Sequence, residues 1–390
     1  MTQSKFKKDN AMLLDFSFRN FFSFNEGANI SFRVTESCPD EIRQGNDYVG
    51  IIGIKGANGS GKTNVLRAFS FLSDFCVRSF TKENEKTLGV KTFLGSKKPA
   101  EFSIDFIFKG VNYIYELHVD NVSVHYESLH RRLKRKTRLF ERKNDEITYA
   151  TDEFSALKSI KLRSNASIIA IAHHHELDLT EEVYEYFRRW VSNVTYRGLN
   201  EGGPSIYSVA KALKDDKENL NFIKNFIADC DNGVSDITIQ EVVKEDGDKL
   251  FVPVFIHEHN GKKHKVSHIT ESSGTKTLFR YLLLYKMIIE SGGLLILDEF
   301  DINLHPHILP KLLNLFNDKT FNTEGAQMIF STHNGEVLDW LGRYRCYLVN
   351  KENNESYAYR LDEIPGDVLR NDRPITPIYN RGDIGGVPKV

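Results

Sequence analysis

The feature that most constrains this chain is the octapeptide Gly56 to Thr63, which reads GANGSGKT and matches the pattern G-x-x-x-x-G-K-S/T. The continuous apolar run from Tyr48 to Lys55 predicts a preceding strand that is buried on both faces. Apolar residues at helical spacing follow from Thr63 to about Phe80. A strand, a glycine-rich loop and a helix in this order predict backbone N–H groups that curl around phosphate oxygens at a helix N-terminus.

Within this loop, we expect Lys62 to reach the β- and γ-phosphates of a nucleotide and the Thr63 hydroxyl to take one Mg²⁺ position. The alternative is a chance glycine-rich turn, which would need both flanks to be coincidental. The residues expected to contact the nucleotide are Asn58, Gly59, Ser60, Gly61, Lys62, Thr63 and Asn64.

A second motif joins four apolar residues, Leu294 to Leu297, to the acidic pair Asp298 and Glu299. Such a strand delivers its acids to the carboxyl edge of a parallel sheet, where ligands bind in open α/β folds. We expect Asp298 to hold the Mg²⁺ shell and Glu299 to polarise the attacking water. The alternative is a strand that ends in ordinary solvated acids.

A third motif, Ile329 to His333, is another apolar strand, and it presents a histidine at its end. Its place one strand after the acidic pair suits an imidazole that contacts the γ-phosphate. A lone histidine is also often a satisfied loop residue, which is the alternative.

A fourth motif, Ser272, Ser273 and Gly274, opens a helix shortly before the acidic strand. Small polar residues at a helix N-terminus are also ordinary caps. The order of the motifs, however, is that of ABC-type ATPases. The glycine-rich loop Gly56 to Thr63, hereafter the P-loop, comes first, and the Ser-Ser-Gly helix start, the acidic strand and the strand with its histidine follow.

Composition excludes several classes of protein. Because the formal net charge is −1, the protein has no overall positive field that would attract nucleic acid or membranes. Four cysteines that lie far apart, without a CxxC pair, argue against a disulfide framework and a cysteine-based zinc site. The polar N-terminus is not typical of a secretory signal, and the longest apolar stretch is too broken to span a bilayer. We therefore expect a cytoplasmic protein with no membrane partner.

These motifs and their flanks resemble the ABC-type clade of bacterial AAA ATPases, which is related to SMC, RecF and OLD ATPases. The likeness is strongest to the short abortive-infection (AbiLi-like) type. It rests on FSFRNFFSF near the start, GANGSGKTN, LLILDEFDINLHP, FSTHN and the closing YNRGDIGGVP. The resemblance covers both ends of the chain, and the helical middle matches only in kind.

The resemblance implies an α/β fold, a P-loop NTPase head of ABC type with a mostly parallel core sheet. The alternating segments FSIDFIF, YIYELHV and VSVHYESL predict an antiparallel β subdomain. The segments EEVYEYFRRWV and ENLNFIKNFIADC predict amphipathic helices and hence a helical insertion. The expected parts are residues 1–175 and 236–390 for the head and 176–235 for the insertion, and an irregular tail is expected from Asn371. It implies ATP and Mg²⁺ as ligands and a homodimer, with Ser272, Ser273 and Gly274 of one subunit capping the nucleotide of the other. Higher assemblies are compatible with such a dimer.

The sequence departs from ABC transporters at two motifs. The signature is Ser-Ser-Gly-Thr rather than Leu-Ser-Gly-Gly-Gln, and Asn303 to Pro306 replaces the Leu-Asp D-loop. No glutamine is assigned to the Q-loop. These differences argue against a transporter subunit.

Two further clusters have alternative interpretations. The basic run His130 to Arg138 is either a solvated hairpin or a contact to a nucleic-acid backbone. The run His173 to Glu176 suggests a metal site, but adjacent residues on a strand would point to opposite faces.

Three functions compete on these grounds. The first is an ATP-switched dimer that senses or regulates in antiviral defence and controls a separate effector protein. The second is a DNA-maintenance ATPase of the RecF or SMC kind. The third, a self-contained OLD-type nuclease, needs an acidic metal-binding domain, and the 57 residues that follow His333 are too few for one.

Overall fold

A computed structural model describes residues 11–82, 87–200, 203–230, 233–245, 247–366, 368–371 and 373–387. These residues combine helices with β-sheets, so the predicted α/β class is confirmed. The strands in chain order are β1 (Ala11–Arg19), β2 (Ala28–Ser31), β3 (Ile51–Lys55), β4 (Ala100–Phe108), β5 (Val111–Val119), β6 (Val124–Arg132), β7 (Lys136–Lys143), β8 (Glu146–Ala150), β9 (Trp190–Ser192), β10 (Val194–Thr195), β11 (Gly198–Leu199), β12 (Val234–Val243), β13 (Lys249–His259), β14 (Lys262–Ser267), β15 (Leu294–Leu297), β16 (Gln327–Ser331), β17 (Cys346–Glu352) and β18 (Glu355–Arg360).

The helices surround and connect these strands. In chain order they are α1 (Asp40–Arg43), α2 (Lys62–Arg78), α3 (Ile168–His174), α4 (Glu181–Arg188), α5 (Ile206–Leu213), α6 (Lys217–Cys230), α7 (Ser273–Ser291), α8 (Leu309–Asn317), α9 (Glu336–Leu341) and α10 (Thr376–Asn380). Short 3₁₀ helices occupy Ser79–Thr81, Phe93–Gly95, Asp152–Ser159, Asp178–Thr180, Pro306–Ile308 and Leu361–Glu363.

The central sheet has six strands in the order β18-β17-β3-β16-β15-β9. Neighbouring strands are parallel except for the hairpin of β17 and β18. Every residue of β3, β15 and β16 is buried, as their continuous apolar runs predict. Because these strands are parallel, the residues that follow them meet at one edge of the sheet.

Helices cover both faces of this sheet. Ile52 and Ile54 of β3 belong to the same buried cluster as Val65 and Phe69 of α2. Residues between them face the other way, where α9 packs so closely that a Cβ on Gly53 would lie 2.3 Å from the Leu341 side chain. The strand that leads into the glycine-rich loop is therefore held on both faces.

A seven-stranded antiparallel sheet, in the order β2-β1-β4-β5-β6-β7-β8, packs its apolar face on α2. Strand β4 alternates strictly between buried and partly exposed residues, the pattern of a sheet with one face in the core. Phe16 of β1 stacks on Phe69 at 4.0 Å between ring centroids. Gln327 of β16 accepts a hydrogen bond of 2.6 Å from the Leu13 N–H, which joins this sheet to the central one.

The chain divides into two compact units. The first comprises residues 1–199, 288–300 and 313–390, and it contains both sheets described above. The second comprises residues 200–287 and 301–312. In it, β12, β13 and β14 form an antiparallel sheet, and α5 and α6 pack on that sheet. The three-part division at residues 176–235 stays a prediction.

Two local expectations are wrong. The helical pattern EEVYEYFRRWV stops at Arg188, and Trp190–Ser192 forms the edge strand β9, which pairs in parallel with β15. A three-residue strand carries too few residues to show a period. The tail is not irregular throughout, because α10 forms where the Asp339 carboxylate accepts the N–H groups of Ile375 and Thr376.

Candidate functional site

The glycine-rich loop connects β3 directly to α2. Gly61 precedes the helix with a φ of +118°, a conformation that side chains with a Cβ rarely adopt. A Cβ there would also lie 2.6 Å from the Ser356 hydroxyl oxygen. The backbone can turn this sharply into the helix because residue 61 is glycine.

Lys62 points back into the curve of this loop. Its side chain is buried, and Nζ donates to the carbonyl oxygens of Gly56 at 2.9 Å and Ala57 at 3.2 Å. The ammonium group is therefore held among the backbone dipoles of the loop, at the start of a 17-residue helix. This arrangement concentrates positive potential where phosphate oxygens would bind.

Thr63 and Asp298, predicted to share a metal, lie next to each other. The Thr63 hydroxyl donates to Asp298 Oδ2 at 2.6 Å. Asp298 is 3% exposed, and Ser331 donates a hydrogen bond to its other carboxylate oxygen. A hydroxyl and a carboxylate are the hard oxygen ligands that Mg²⁺ prefers, so this pair fits the ion.

Asn193, just beyond the edge strand β9, fixes the backbone of this acid. Its side-chain amide donates to the Asp298 carbonyl at 3.0 Å, and its oxygen accepts the Asp298 N–H at 2.7 Å. The sequence patterns do not indicate a role for Asn193, because the residues before it continue a helical pattern. They also indicate no role for Ser331, although this residue lies within the third motif.

Glu299 adopts a left-handed backbone conformation with a φ of +51°. Few residues other than glycine do so, and such conformations cluster at functional sites. The turn is held from β16, because the Glu299 N–H donates to the Ser331 hydroxyl at 2.9 Å and the Phe300 N–H donates to the Ser331 carbonyl at 3.0 Å. Ser331 thus positions both acids.

His333 lies two residues beyond β16 and is exposed. Its backbone carbonyl accepts a hydrogen bond of 2.7 Å from Lys55 Nζ. Since β16 pairs with β3, His333 follows the strand beside the one that enters the P-loop. The structure therefore places the histidine at the sheet edge that carries the P-loop and the acidic pair.

Arg67 and the N-terminal segment support the first turns of α2. Arg67 donates to the Asn64 side chain at 2.7 Å, and its guanidinium lies 4.7 Å from the centroid of the Phe22 ring. Asn64 in turn donates to the Ser23 hydroxyl at 2.8 Å. Burial lowers the pKa of Arg67, which the nearby Asp298 partly opposes. These contacts explain why the aromatic segment FSFRNFFSF accompanies the P-loop.

The Ser-Ser-Gly motif lies in the second unit, at the start of α7. The Ser272 hydroxyl accepts the Thr275 N–H at 3.0 Å, so it does cap the helix. Ser273 faces a cavity of about 290 Å³, whose lining also includes Lys276, Arg280 and His268. This unit therefore presents a helix N-terminus together with basic side chains.

The basic run forms the hairpin of β6 and β7, and its ends are paired with acids. Arg131 and Arg138 contact Glu153 and Glu141 at 3.2 and 2.6 Å. Arg132 and Lys136 lie 3.8 and 3.7 Å from Asp105 and Glu116. Lys134 and Arg135 are exposed at the turn.

The histidine run does not lie on a strand as expected. His173 and His174 belong to α3, which Ser167 caps by accepting the Ala170 N–H at 3.0 Å. His173 contacts Glu181 at 2.8 Å and stacks on Tyr184. Within the described parts of the chain, no group of three or more His, Cys, Asp or Glu residues could hold a metal ion.

The chain also matches a known protein family. A family model described as "AAA domain, putative AbiEii toxin, Type IV TA system" matches residues 51–339, which contain the four motifs. No curated protein matches the chain. Among the described residues, no helix is both long enough and apolar enough to cross a bilayer. The match spans most of the chain, which therefore belongs to this family of AAA-domain P-loop ATPases.

Proposed function

We propose that this protein binds and hydrolyses ATP as an ABC-type ATPase of the OLD-like, AbiLi-like class. The observation that carries the proposal is the hydrogen bond of 2.6 Å between Thr63 of the P-loop and Asp298 of the acidic strand. This bond places the phosphate-binding loop beside Asp298, the carboxylate proposed to bind the cation of the nucleotide. Glu299, proposed to orient the attacking water, is the next residue in the chain.

Each residue has a distinct role in this reaction. The loop N–H groups and Lys62 bind the β- and γ-phosphates, and Thr63 and Asp298 would hold Mg²⁺. The metal, when bound, neutralises charge that develops on the phosphate oxygens. Glu299 orients the attacking water, and the His333 imidazole contacts the γ-phosphate.

The biological role we propose is that of a sensor or regulator in antiphage defence, acting through ATP-driven homodimerisation on a separate effector protein in the cytoplasm. The order of the four motifs supports the ABC-type class. The family description names a toxin of a type IV toxin–antitoxin system, which agrees in kind with a defence role. The identity of the adjacent gene, and whether its product co-purifies, would separate this role from others.

A DNA-maintenance ATPase is the second candidate, favoured by the exposed Lys134 and Arg135 at the hairpin turn. The ion pairs of Arg131 and Arg138 argue against it, because they already neutralise much of the run. DNA-stimulated ATP turnover with salt-sensitive binding that is lost in a Lys134→Glu/Arg135→Glu variant would support this candidate.

The central test compares Asp298→Asn with the wild-type protein in a Mg²⁺ titration of ATP turnover. We expect the Mg²⁺ concentration for half-maximal activity to rise by about tenfold or more, because the amide keeps the shape but loses the charge. The control is Asp301→Asn, three residues further along. An unchanged Mg²⁺ dependence in Asp298→Asn would contradict the assignment of the metal site.

A further inference from the structure

The C-terminal segment from Ile375 to Gly386 packs on the loop that carries His333. The Thr376 hydroxyl donates to the Gly335 carbonyl at 2.8 Å. Asp339 of α9 accepts the Ile375 and Thr376 N–H groups at 2.5 and 3.0 Å. The segment therefore contacts both the end of the histidine loop and the helix that follows it. It lies beyond the residues matched by the family model.

A second set of contacts holds the C-terminal end of this segment, near Gly386, against the central sheet. Tyr379 donates its hydroxyl to the Gly386 carbonyl at 2.7 Å, and the Gly386 N–H donates to the Asn350 side chain at 2.7 Å. Burial raises the pKa of Tyr379 to about 12, so its hydroxyl stays protonated and can donate. Gly385 has a φ of +76°, and a Cβ there would lie 2.7 Å from the Tyr359 hydroxyl oxygen. The segment thus has a defined conformation on β17 and β18.

Lys55 connects this segment to the P-loop. It is the last residue of β3, directly before Gly56, and its side chain is 4% exposed. Nζ donates to the His333 carbonyl at 2.7 Å and lies 4.9 Å from the centroid of the Tyr379 ring. A buried ammonium group is costly unless polar groups or an aromatic face compensate for its lost hydration. Here the histidine loop and the tail supply these contacts.

We infer that Lys55 is a positioning residue for His333, and that Tyr379 of the C-terminal segment holds Lys55 in that position. The inference rests on the proposed hydrolytic role of His333. Because the P-loop strand, the histidine loop and the tail meet at one ammonium group, loss of that group displaces the His333 backbone. The P-loop itself keeps its glycines, Lys62 and Thr63, so ATP binding is maintained. Hydrolysis, which requires sub-ångström placement of groups around the γ-phosphate, is impaired.

The first experiment measures ATP affinity and turnover for Lys55→Met, which keeps the length and apolar stem of the side chain. We expect kcat to fall by about tenfold or more, while the Kd for ATP changes by less than about threefold. The matched control is Lys351→Met, which removes an exposed lysine from β17 of the same sheet. An additional pair tests the tail: Tyr379→Phe keeps the ring face and should retain more activity than Tyr379→Leu.

A double-mutant comparison separates positioning from a general loss of structure. If Lys55 acts through His333, then Lys55→Met in a His333→Ala background should lower kcat no further. If Lys55 had only a structural role, Lys55→Met would lower kcat by the same factor in the wild-type and His333→Ala backgrounds. Normal turnover by His333→Ala alone would contradict the proposed function. An impaired His333→Ala protein alongside a fully active Lys55→Met protein would overturn only the inference about Lys55.

Discussion

At the level of single residues, two side chains of the candidate site, Ser331 and Asn193, each make two hydrogen bonds that hold the acidic pair. Ser331 donates to the Asp298 carboxylate and accepts the Glu299 N–H. Asn193 both donates to and accepts from the Asp298 backbone. Neither residue is proposed to touch the reacting atoms. Together they fix the backbone of Asp298 and Glu299.

Replacing Lys62 by Ala should weaken ATP binding by at least about tenfold, because it removes the charge that neutralises the β- and γ-phosphates. Titration of a fluorescent ATP analogue measures this directly. The control is Lys82→Ala, since Lys82 contacts Asp74 on the far part of α2. Equal affinity of the Lys62 variant and the wild-type protein would contradict phosphate binding by this loop.

Glu299→Gln should lower turnover by roughly 10² or more while ATP stays bound, because the amide loses the charge that orients water. His333→Ala is expected to act in the same direction. Steady-state phosphate release together with a filter-binding assay separates the two effects. If Glu299→Gln hydrolyses ATP at the normal rate, another group positions the water.

At the element scale, α2 links the P-loop to the core. Its N-terminus directly follows the P-loop, and its buried face packs against the central sheet and the seven-stranded sheet. Phe69, 0% exposed, stacks on Phe16 of β1 and lies 6.1 Å from the ring of Trp190 in β9. The position of the loop therefore depends on aromatic contacts with strands distant in sequence.

Phe69→Ala should reduce the free energy of unfolding of the first unit by about 3–5 kcal/mol, because it leaves a cavity between α2 and the antiparallel sheet. Urea denaturation followed by circular dichroism measures the change. Leu133→Ala, at a side chain 68% exposed, is the matched control and should change stability by less than about 0.5 kcal/mol. Similar stabilities for the two variants would show that this contact does not support the fold.

At the scale of the whole molecule, the count of motifs favours a pair of chains. The sequence contains one P-loop and one Ser-Ser-Gly helix start, and the latter belongs to the second unit. In the proposed ABC-type arrangement, the helix start of one subunit caps the γ-phosphate held by the other. A two-fold pair then forms two equivalent sites through one isologous interface. We expect ATP to favour this dimer and ADP, which lacks the γ-phosphate, to release it.

Light scattering on the Glu299→Gln protein should therefore show a dimer with ATP and a smaller species with ADP. A Gly274→Arg variant should lose ATPase activity and dimerisation, because a Cβ at this position already lies 3.1 Å from the Asn303 carbonyl oxygen and a longer side chain would project from the helix start. A Leu133→Arg variant provides an exposed control with the same added charge. A monomer with trapped ATP, or full activity of Gly274→Arg, would rule out this geometry.

The features that depend on neighbouring residues can be predicted from the amino-acid sequence. The glycine spacing of the P-loop, the buried strands β3, β15 and β16 and the following helix α2 are local patterns, and the structure contains them at those places. The α/β class and membership of the AAA-domain P-loop ATPases follow from the same patterns. The net charge likewise argues against a global basic field, and the cysteine spacing argues against a disulfide framework and a cysteine-based zinc site. Neither argument needs a tertiary contact.

Tertiary contacts determine which further side chains meet at the site. Asn193 and the Asp298 carbonyl are 105 positions apart, and Lys55 and the His333 carbonyl are 278 apart. Edge strand β9 and helix α10 could not be predicted from the sequence, because each is short and is stabilised by partners elsewhere in the chain. Local periodicity reports which face of an element is buried, but not what it is buried against. The roles of Ser331, Asn193 and Lys55 arise from such long-range contacts, and for that reason they became visible only in the folded chain.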